Sequence, residues 1–455
     1  MTNPTVTFYN GTELVAGAEF VYETNGLRIM VDCGLIQGTK EQEKWNYEPF
    51  PYDPSSIDVL FVTHAHMDHV GRVPKLVRHG FRGKIYSSEP TRDIGYHMLM
   101  DELSLMYHAF EDKGIEPLFT EQDVAHAMKL WHPATYQDTI KLSDDVTFTL
   151  YDAGHILGSS MILLDDAGTQ TLFTGDLGNS PSVLLSNTNE TPRPHYIVTE
   201  SVYGDRNHEY REDRTKRLHD VYLQNIERKG VLLIPSFSVE RTQEILIELD
   251  HMIEGGKLPV VPVFVDSPLG IKVTEVFRKY PEYMKTEVQD EMETDDIFDF
   301  RGLKFTRTAE ESKHIREVPS PKVVIASSGM SAGGRILFHH QDYLPLHNTT
   351  LLFVGYQAPG TLGRKIQEGV NPVYIMGHEI PVNCRIEMIT GYSGHKDAEH
   401  LLEFIGHIGG RSKKIFCVLG EAGSSATLAQ SIHDNHNFDA FVPERAKPYE
   451  LPRVQ

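Results

Sequence analysis

The segment His64-Ala65-His66-Met67-Asp68-His69 places four candidate metal ligands within six residues. It follows an apolar run, residues 57–63, that predicts a buried strand. Buried imidazoles and carboxylates each need a partner, so this composition indicates a metal site rather than an ordinary surface turn. Because alternate residues of an extended chain point the same way, we expect His64 and His66 to bind one cation. Asp68 and His69 then fall on the first turn of a helix and face a second cation.

Two later segments add further ligands at strand ends. Residues 146–152 and 171–175 predict strands, and His155 and Asp176 follow them directly. Either residue alone is as typical of a turn or a helix cap. Together with the first segment they supply six nitrogen or oxygen ligands, enough for two zinc ions that share Asp176.

Composition narrows the class of protein. The chain has 455 residues, 64 acidic against 43 basic side chains and a net charge of -21, which argues against gripping nucleic acid by bulk positive charge. Histidine is abundant, with 23 residues, and only three widely spaced cysteines occur, so a disulfide scaffold or thiolate zinc site is not expected. The sequence has no membrane-length apolar run and no signal-peptide pattern at its start. We therefore expect a cytoplasmic protein without a membrane partner.

The remaining pattern predicts a layered α/β protein. Short apolar runs end in Gly, Ser, Asp or His and alternate with helical stretches such as residues 240–253. An acidic stretch, residues 287–299, predicts a solvated helix face or loop.

The ligand series resembles the metallo-β-lactamase superfamily. That resemblance implies an αβ/βα four-layer sandwich with a two-metal site at the strand ends. It assigns His64, His66 and His155 to one zinc ion, Asp68 and His69 to the other, and Asp176 to both. Asp32, at the end of the run 28–32, resembles the family's early aspartate, which orients the ligands.

Later segments resemble the β-CASP branch of nucleases within that superfamily. Residues 199–206 are similar to its motif A, which contains Glu200, and residues 233–244 are similar to its IPxFxxxRxQE segment. Residues 391–397 match motif B and supply His395. The resemblance implies an inserted α/β β-CASP domain at 206–375 within a metallo-β-lactamase domain formed by residues 1–205 and 376–455.

One position departs from the branch's RNA-processing members. Their motif C reads V-H-G-E, whereas this chain has Val418-Leu419-Gly420-Glu421. Leucine has no metal-binding atom, so the second zinc site is expected to be weakened. His407 or His433 could substitute, although each is more typical of a helix or surface histidine. The DNA-processing members carry valine at this place, which keeps DNA open as a substrate.

The expected reaction is cleavage of single-stranded RNA by a zinc-dependent phosphodiesterase that uses a metal-activated hydroxide. In this interpretation Asp68 accepts a hydrogen bond from the attacking water. His395 donates a proton to the leaving oxygen, while Glu200 holds its other ring nitrogen. Candidate phosphate-binding residues supply hydroxyl groups, backbone N–H groups or positive charge: Ser328, Ser331, Gly333, Gly334, Arg335 and Arg241.

Three alternatives remain open at this point. The first is a DNA nuclease, because Leu419 is apolar like the residue that the DNA-processing members have at this position. The second is a catalytically weak subunit that binds nucleic acid or acts as a scaffold, against which the otherwise complete ligand series argues. The third is a small-molecule hydrolase, which would not need the long middle segment. A homodimer is compatible with any of these.

Overall fold

The chain folds as two units, described here from a computed structural model that covers residues 2–12, 14–208, 212–358 and 360–454. The first unit combines residues 1–207 with 395–455, and the second comprises residues 208–394. Residues 1 and 455, which end the expected domains, lie outside the described residues.

The strands are short and number 22 within the described residues. They are β1 Thr5–Asn10, β2 Glu19–Thr24, β3 Leu27–Val31, β4 Val59–Phe61, β5 Lys84–Ser87, β6 Trp131–Pro133, β7 Thr139–Lys141, β8 Val146–Asp152, β9 Ser160–Asp166, β10 Thr169–Phe173, β11 Tyr196–Glu200, β12 Val231–Pro235, β13 Val263–Asp266, β14 Leu303–Phe305, β15 Lys322–Ala326, β16 Thr350–Phe353, β17 Val373–Ile375, β18 His378–Ile380, β19 Arg385–Met388, β20 Lys414–Val418, β21 Ala440–Phe441 and β22 Pro448–Glu450.

The α-helices vary widely in length. They are α1 Lys40–Glu43, α2 Met67–Val70, α3 Val73–Arg78, α4 Glu89–Lys113, α5 Glu121–Leu130, α6 Glu212–Glu227, α7 Arg241–Glu254, α8 Pro268–Lys279, α9 Thr286–Met292, α10 Ala309–His314, α11 Ile336–Tyr343, α12 Leu362–Gln367, α13 Ala398–Ile408 and α14 Ala422–His436. In the part of the chain that the structure covers, none of these helices is both long and apolar enough to cross a bilayer.

Two seven-stranded sheets form the centre of the first unit. Their strand orders are β22-β1-β2-β3-β4-β5-β6 and β21-β20-β11-β10-β9-β8-β7. Aromatic side chains from the two sheets meet in one buried core, with ring centroids of Phe61 and Phe148 at 4.6 Å and of Phe8 and Phe416 at 5.2 Å. The sheets therefore pack face to face.

Helices cover the outer faces of both sheets. Leu76 of α3 and Leu99 of α4 share a buried cluster with Leu60 of β4. Leu401 of α13 and Leu428 of α14 share another with Ile415 of β20. This helix–sheet–sheet–helix arrangement confirms the expected αβ/βα four-layer sandwich.

The second unit contains a six-stranded parallel sheet in the order β14-β13-β15-β12-β16-β19. Its central strands are buried runs, as expected for a parallel sheet covered by helices on its faces. The sequence placed the end of the inserted domain at residue 375, but the unit continues to residue 394. The reason is that β19 pairs in parallel with β16 and so completes this sheet.

Candidate metal centre

Four of the predicted ligands converge at the strand ends of the first unit. His64, His66, His155 and Asp176 each offer a ligand atom, and these atoms all lie within 4.8 Å of one another. Nδ1 of His66 lies 3.0 Å from Nε2 of His64 and 3.2 Å from Nε2 of His155. Oδ2 of Asp176 lies 3.5 Å from Nε2 of His64. Three imidazoles and one carboxylate around one point are a ligand set that suits a divalent transition metal.

The other oxygen of Asp176 faces a second group of ligands. Oδ1 of Asp176 lies 3.4 Å from Nε2 of His69, and that nitrogen lies 3.9 Å from Oδ2 of Asp68. Nε2 of His69 and Oδ1 of Asp176 are both buried, and neither has a hydrogen-bond partner within the described residues. Buried polar atoms normally have partners, so these two atoms fit a site completed by a metal ion. Asp176 thus presents one oxygen to each ligand group.

Asp32 fixes the orientation of His69 from behind. It follows β3, whose carboxyl end lies beside that of β4 because the two strands are parallel. One carboxylate oxygen accepts the backbone N–H of Thr63, and the other accepts the Thr63 hydroxyl, each at 2.8 Å. The second oxygen also lies 2.7 Å from Nδ1 of His69. This contact directs Nε2 of His69 towards Asp176.

Two glycines let the ligand loops approach other backbone closely. A Cβ atom on Gly34 would lie 1.5 Å from the carbonyl oxygen of Asp68. A Cβ atom on Gly178 would lie 1.6 Å from the carbonyl oxygen of Gly154, which precedes His155. Sequence reasoning missed both positions, because only the fold shows which backbone each glycine meets.

Burial and neighbouring charges set the protonation of the ligands. Burial, with the adjacent His69, holds the pKa of His64 well below its usual range, so this ring is a neutral ligand. Burial alone would raise the pKa of Asp176. The neighbouring imidazole of His69 outweighs that effect and holds the pKa of Asp176 well below its usual range.

His395 and Glu200 lie beside the same carboxylate. Glu200 is fully buried at the end of β11 and accepts the backbone N–H of Leu177. Its carboxylate lies 3.2 Å from Nδ1 of His395, which in turn lies 3.9 Å from Oδ2 of Asp176. Burial alone would lower the pKa of His395, but the carboxylates of Glu200, Asp176 and Asp68 raise it to about 9. The imidazole is therefore protonated at neutral pH.

Leu419 is buried and lines a small cavity together with Asp32 and Glu200. Its backbone has a left-handed φ of 56°, and its N–H donates to the carbonyl of Gly11 at 2.7 Å. The side chain belongs to the apolar core between the two sheets. Neither His407 nor His433 belongs to any group of metal-binding side chains found in the described part of the chain. The position therefore offers no ligand, and neither histidine replaces it.

The candidate phosphate-binding residues lie in the second unit, where two of them are engaged internally. Ser331 is fully buried, and its hydroxyl lies 2.8 Å from Nε2 of His340. Arg241 is buried beside Glu244, with which it forms an ion pair, and lies over the ring of Tyr392. The hydroxyl of Ser331 and one terminal nitrogen of the Arg241 guanidinium are thus engaged within the second unit, whereas Nε of Arg241 has no hydrogen-bond partner among the described residues. The assignment of both residues as phosphate ligands stays a prediction.

The other four candidates form one turn after β15. The Ser328 hydroxyl accepts the backbone N–H of Gly333 at 3.2 Å, and Gly334 has a left-handed φ of 76°. Arg335 donates to Oδ1 of Asp266 at 2.6 Å and to the carbonyl of Thr306 at 3.1 Å. Ser328, Gly333, Gly334 and Arg335 thus lie together, with Arg335 held by Asp266.

Sequence reasoning assigned no role to Phe237, which follows the neighbouring strand β12. Its ring is 37% exposed. A Cβ atom on Gly329 would lie 2.7 Å from this ring, and one on Gly355 would lie 3.3 Å from it. These two glycines, after β15 and β16, leave room for an aromatic ring at the carboxyl ends of the strands.

Sequence profiles of three families match consecutive parts of the chain. The metallo-beta-lactamase superfamily matches residues 18–215, the Beta-Casp domain matches 242–366, and the Zn-dependent metallo-hydrolase RNA specificity domain matches 379–443. Ribonuclease TTHA0252 of Thermus thermophilus is 34% identical over 86% of this chain and 88% of its own length. The chain belongs to the β-CASP branch of the metallo-β-lactamase superfamily. It is accordingly a divalent-metal-dependent hydrolase of the nuclease type, as the ligand series and the β-CASP motifs together predicted.

Other relatives are longer than this β-CASP chain. Transcription termination factor FttA of Methanosarcina mazei is 32% identical, and the match covers 94% of this chain and 68% of that protein. FttA of Thermococcus kodakarensis is 31% identical, with 98% and 71% covered. A crystal structure of a protein of unknown function from Enterococcus faecalis V583 covers 99% of this chain with a TM-score of 0.58. Because it is only 15% identical, it supports the fold alone.

Proposed function

We propose that this β-CASP protein is a zinc-dependent phosphodiesterase that cleaves single-stranded RNA. The observation that carries the proposal is the shared environment of Asp176. One of its oxygens faces three imidazoles, the other faces His69, and protonated His395 lies 3.9 Å away. Metal ligands and a proton donor thus surround one point.

The residues around Asp176 would hold two zinc ions. His64, His66, His155 and Asp176 would hold the first, and Asp68, His69 and Asp176 the second. When bound, zinc lowers the pKa of a coordinated water to about 7 and stabilises the charge that develops on a phosphodiester.

The protein's own side chains then move the protons. The Asp68 carboxylate is 21% exposed, so it can accept a hydrogen bond from the attacking water. Glu200 holds Nδ1 of His395, which leaves the proton on Nε2 as the one to be donated to the leaving oxygen. The buried carboxylate of Glu200 raises the pKa of His395 and so favours the protonated ring.

Three observations support single-stranded RNA as the substrate. A domain described as an RNA specificity domain matches residues 379–443, and a relative 34% identical is named a ribonuclease. The half-exposed ring of Phe237 offers a stacking surface for an unpaired base, an interaction worth about 1–3 kcal/mol per base. Single-stranded DNA is the second candidate, because Leu419 resembles the apolar residue of the DNA-processing members.

The test compares end-labelled single-stranded RNA and DNA of one sequence, with zinc and after its removal. We expect zinc-dependent cleavage of RNA, and preferential cleavage of DNA would instead select the second candidate. His395→Ala should abolish cleavage while leaving the zinc content unchanged. His407→Ala is the matched control, because His407 is exposed at the end of α13. Unaltered cleavage by the His395 variant would overturn the proton-donor role.

A further inference from the structure

A second group of potential metal ligands lies entirely within the second unit, outside the catalytic centre. Asp250 and His251 are at the end of α7, and Glu291 is on α9. One ligand atom from each lies within 4.8 Å of the other two. The group includes part of the acidic stretch, residues 287–299, to which the nuclease reaction assigns no role.

Asp250 is the unusual member of the group. Only 3% of the residue is exposed, yet its Oδ1 has no hydrogen-bond partner among the described residues. An unpaired carboxylate oxygen is costly inside a protein, because water no longer solvates it. The negative charges of Asp295, Glu291 and Glu254 also act on Asp250. Its surroundings therefore favour a cation.

The other two side chains can complete a site. Nε2 of His251 lies 2.9 and 3.0 Å from the two carboxylate oxygens of Glu291. The side chains of His251 and Glu291 are 49% and 32% exposed, so they can rotate and an ion can reach them. Ligands of a tetrahedral zinc ion lie roughly 3.3 Å apart when the bonds are about 2.0–2.1 Å long. Small rotations therefore suffice to bring the three atoms onto one ion.

We propose that Asp250, His251 and Glu291 bind a divalent transition-metal ion that links α7 to α9. An imidazole together with two carboxylates selects ions such as Zn²⁺ or Mn²⁺, since Mg²⁺ and Ca²⁺ prefer oxygen ligands alone. The two carboxylates neutralise the ion, and it supplies the partner that Oδ1 of Asp250 lacks.

Zinc stoichiometry of the full-length chain tests the site. After metal removal and equilibrium dialysis against Zn²⁺, we expect Glu291→Gln to bind one equivalent fewer than the unmodified protein. Glu287→Gln is the matched control, because it removes the same charge from the exposed face of α9 and should retain every equivalent. His251→Gln should lose the same equivalent. Equal zinc content in the unmodified protein and in both site variants would overturn the proposal.

Hydrogen exchange shows where the ion acts. Zn²⁺ should slow amide exchange in residues 286–292 of the unmodified protein at least about tenfold, and should leave this segment unchanged in Glu291→Gln. The slowing around residues 64–69 should be the same in both proteins. Protection confined to residues 64–69 in the unmodified protein would show that zinc binds at the catalytic centre alone and would refute the second site.

Discussion

Replacement of Gly34 by alanine should disable the second ligand group without touching a ligand. Gly34 follows β3, and its neighbours fasten the segment that carries Asp68 and His69. The N–H of Cys33 donates to the carbonyl of His69 at 2.8 Å, and the N–H of Leu35 donates to the carbonyl of Met67 at 2.7 Å. Gly34 does not adopt a left-handed φ, so the effect of an added methyl group is steric.

The distances give the size of the disturbance. A Cβ atom at position 34 would lie 1.5 Å from the carbonyl oxygen and 2.1 Å from the carbonyl carbon of Asp68, whereas contacts below 3.0 Å essentially never occur. The backbone must therefore retreat by about 1.5 Å or more, since it cannot rotate away as a side chain does. Such a shift exceeds the tolerance of a metal site and breaks the 2.7 Å contact between His69 and Asp32. We expect the unfolding free energy to fall by about 3 kcal/mol and cleavage to fall about 100-fold.

The assay measures zinc per chain at saturating Zn²⁺, cleavage of labelled RNA and urea unfolding on one preparation. Gly34→Ala should lose the equivalent held by Asp68 and His69 and keep the one held by the three other imidazoles. Gly423→Ala is the control, because nothing lies within 4 Å of a Cβ atom at that position in α14. If Gly34→Ala matched the control in zinc content and cleavage, the close approach would not position the ligands.

Three other substitutions test separate parts of the structure. Leu419→His should raise the affinity for the second zinc ion about tenfold or more, which zinc titration measures. Glu200→Gln should move the alkaline limb of the cleavage pH profile to lower pH by roughly one to two units, because the carboxylate that raises the pKa of His395 is gone. Burial alone would raise the pKa of Asp266, but hydrogen bonds from His339, Ser312, Thr306 and Arg335 lower it to about 2. That carboxylate therefore stabilises the fold by about 2 kcal/mol above pH 4, and the contribution is lost as the pH falls from about 4 to 2. Urea unfolding of Asp266→Asn should show this deficit at pH 7 and a smaller one near pH 3.

The convergence of the candidate metal ligands could be predicted from the sequence because their signals are local. His64, His155 and Asp176 each lie three residues beyond the end of a strand, which is β4, β8 or β10 respectively. β8 and β10 are both antiparallel to β9, so they run in the same direction and their carboxyl ends lie at the same edge of the sheet. The helix predicted at residues 240–253 likewise forms, as α7, because its apolar spacing is local information.

The remaining features depend on contacts between distant parts of the chain. Residues 385–388 form β19, but nothing in their sequence reveals that this strand pairs with β16 and so continues the sheet of the second unit. Arg241 has the charge expected of a phosphate ligand, yet Glu244 and Tyr392 enclose it. From the sequence alone, Gly34 is typical of a turn, and only the fold shows that the backbone of Asp68 lies beside it. Each of these features depends on which distant part of the chain lies beside the residue in the fold. The type of the residue does not reveal that neighbour.

Leu419 shows how backbone and side chain can make different demands at one position. A left-handed φ costs a branched residue such as leucine roughly 1–2 kcal/mol, whereas histidine adopts it several-fold more readily than most residues. The backbone holds this shape because the N–H of Leu419 donates to the carbonyl of Gly11. Apolar burial between the sheets offsets the cost, since the side chain is 1% exposed. The fold thus retains at this position a backbone suited to a polar ligand, while the side chain contributes only to the core. A histidine at position 419 would therefore adopt this backbone conformation readily. If Leu419→His lowered the unfolding free energy in the absence of metal, the cause would be lost apolar packing in the core rather than backbone strain.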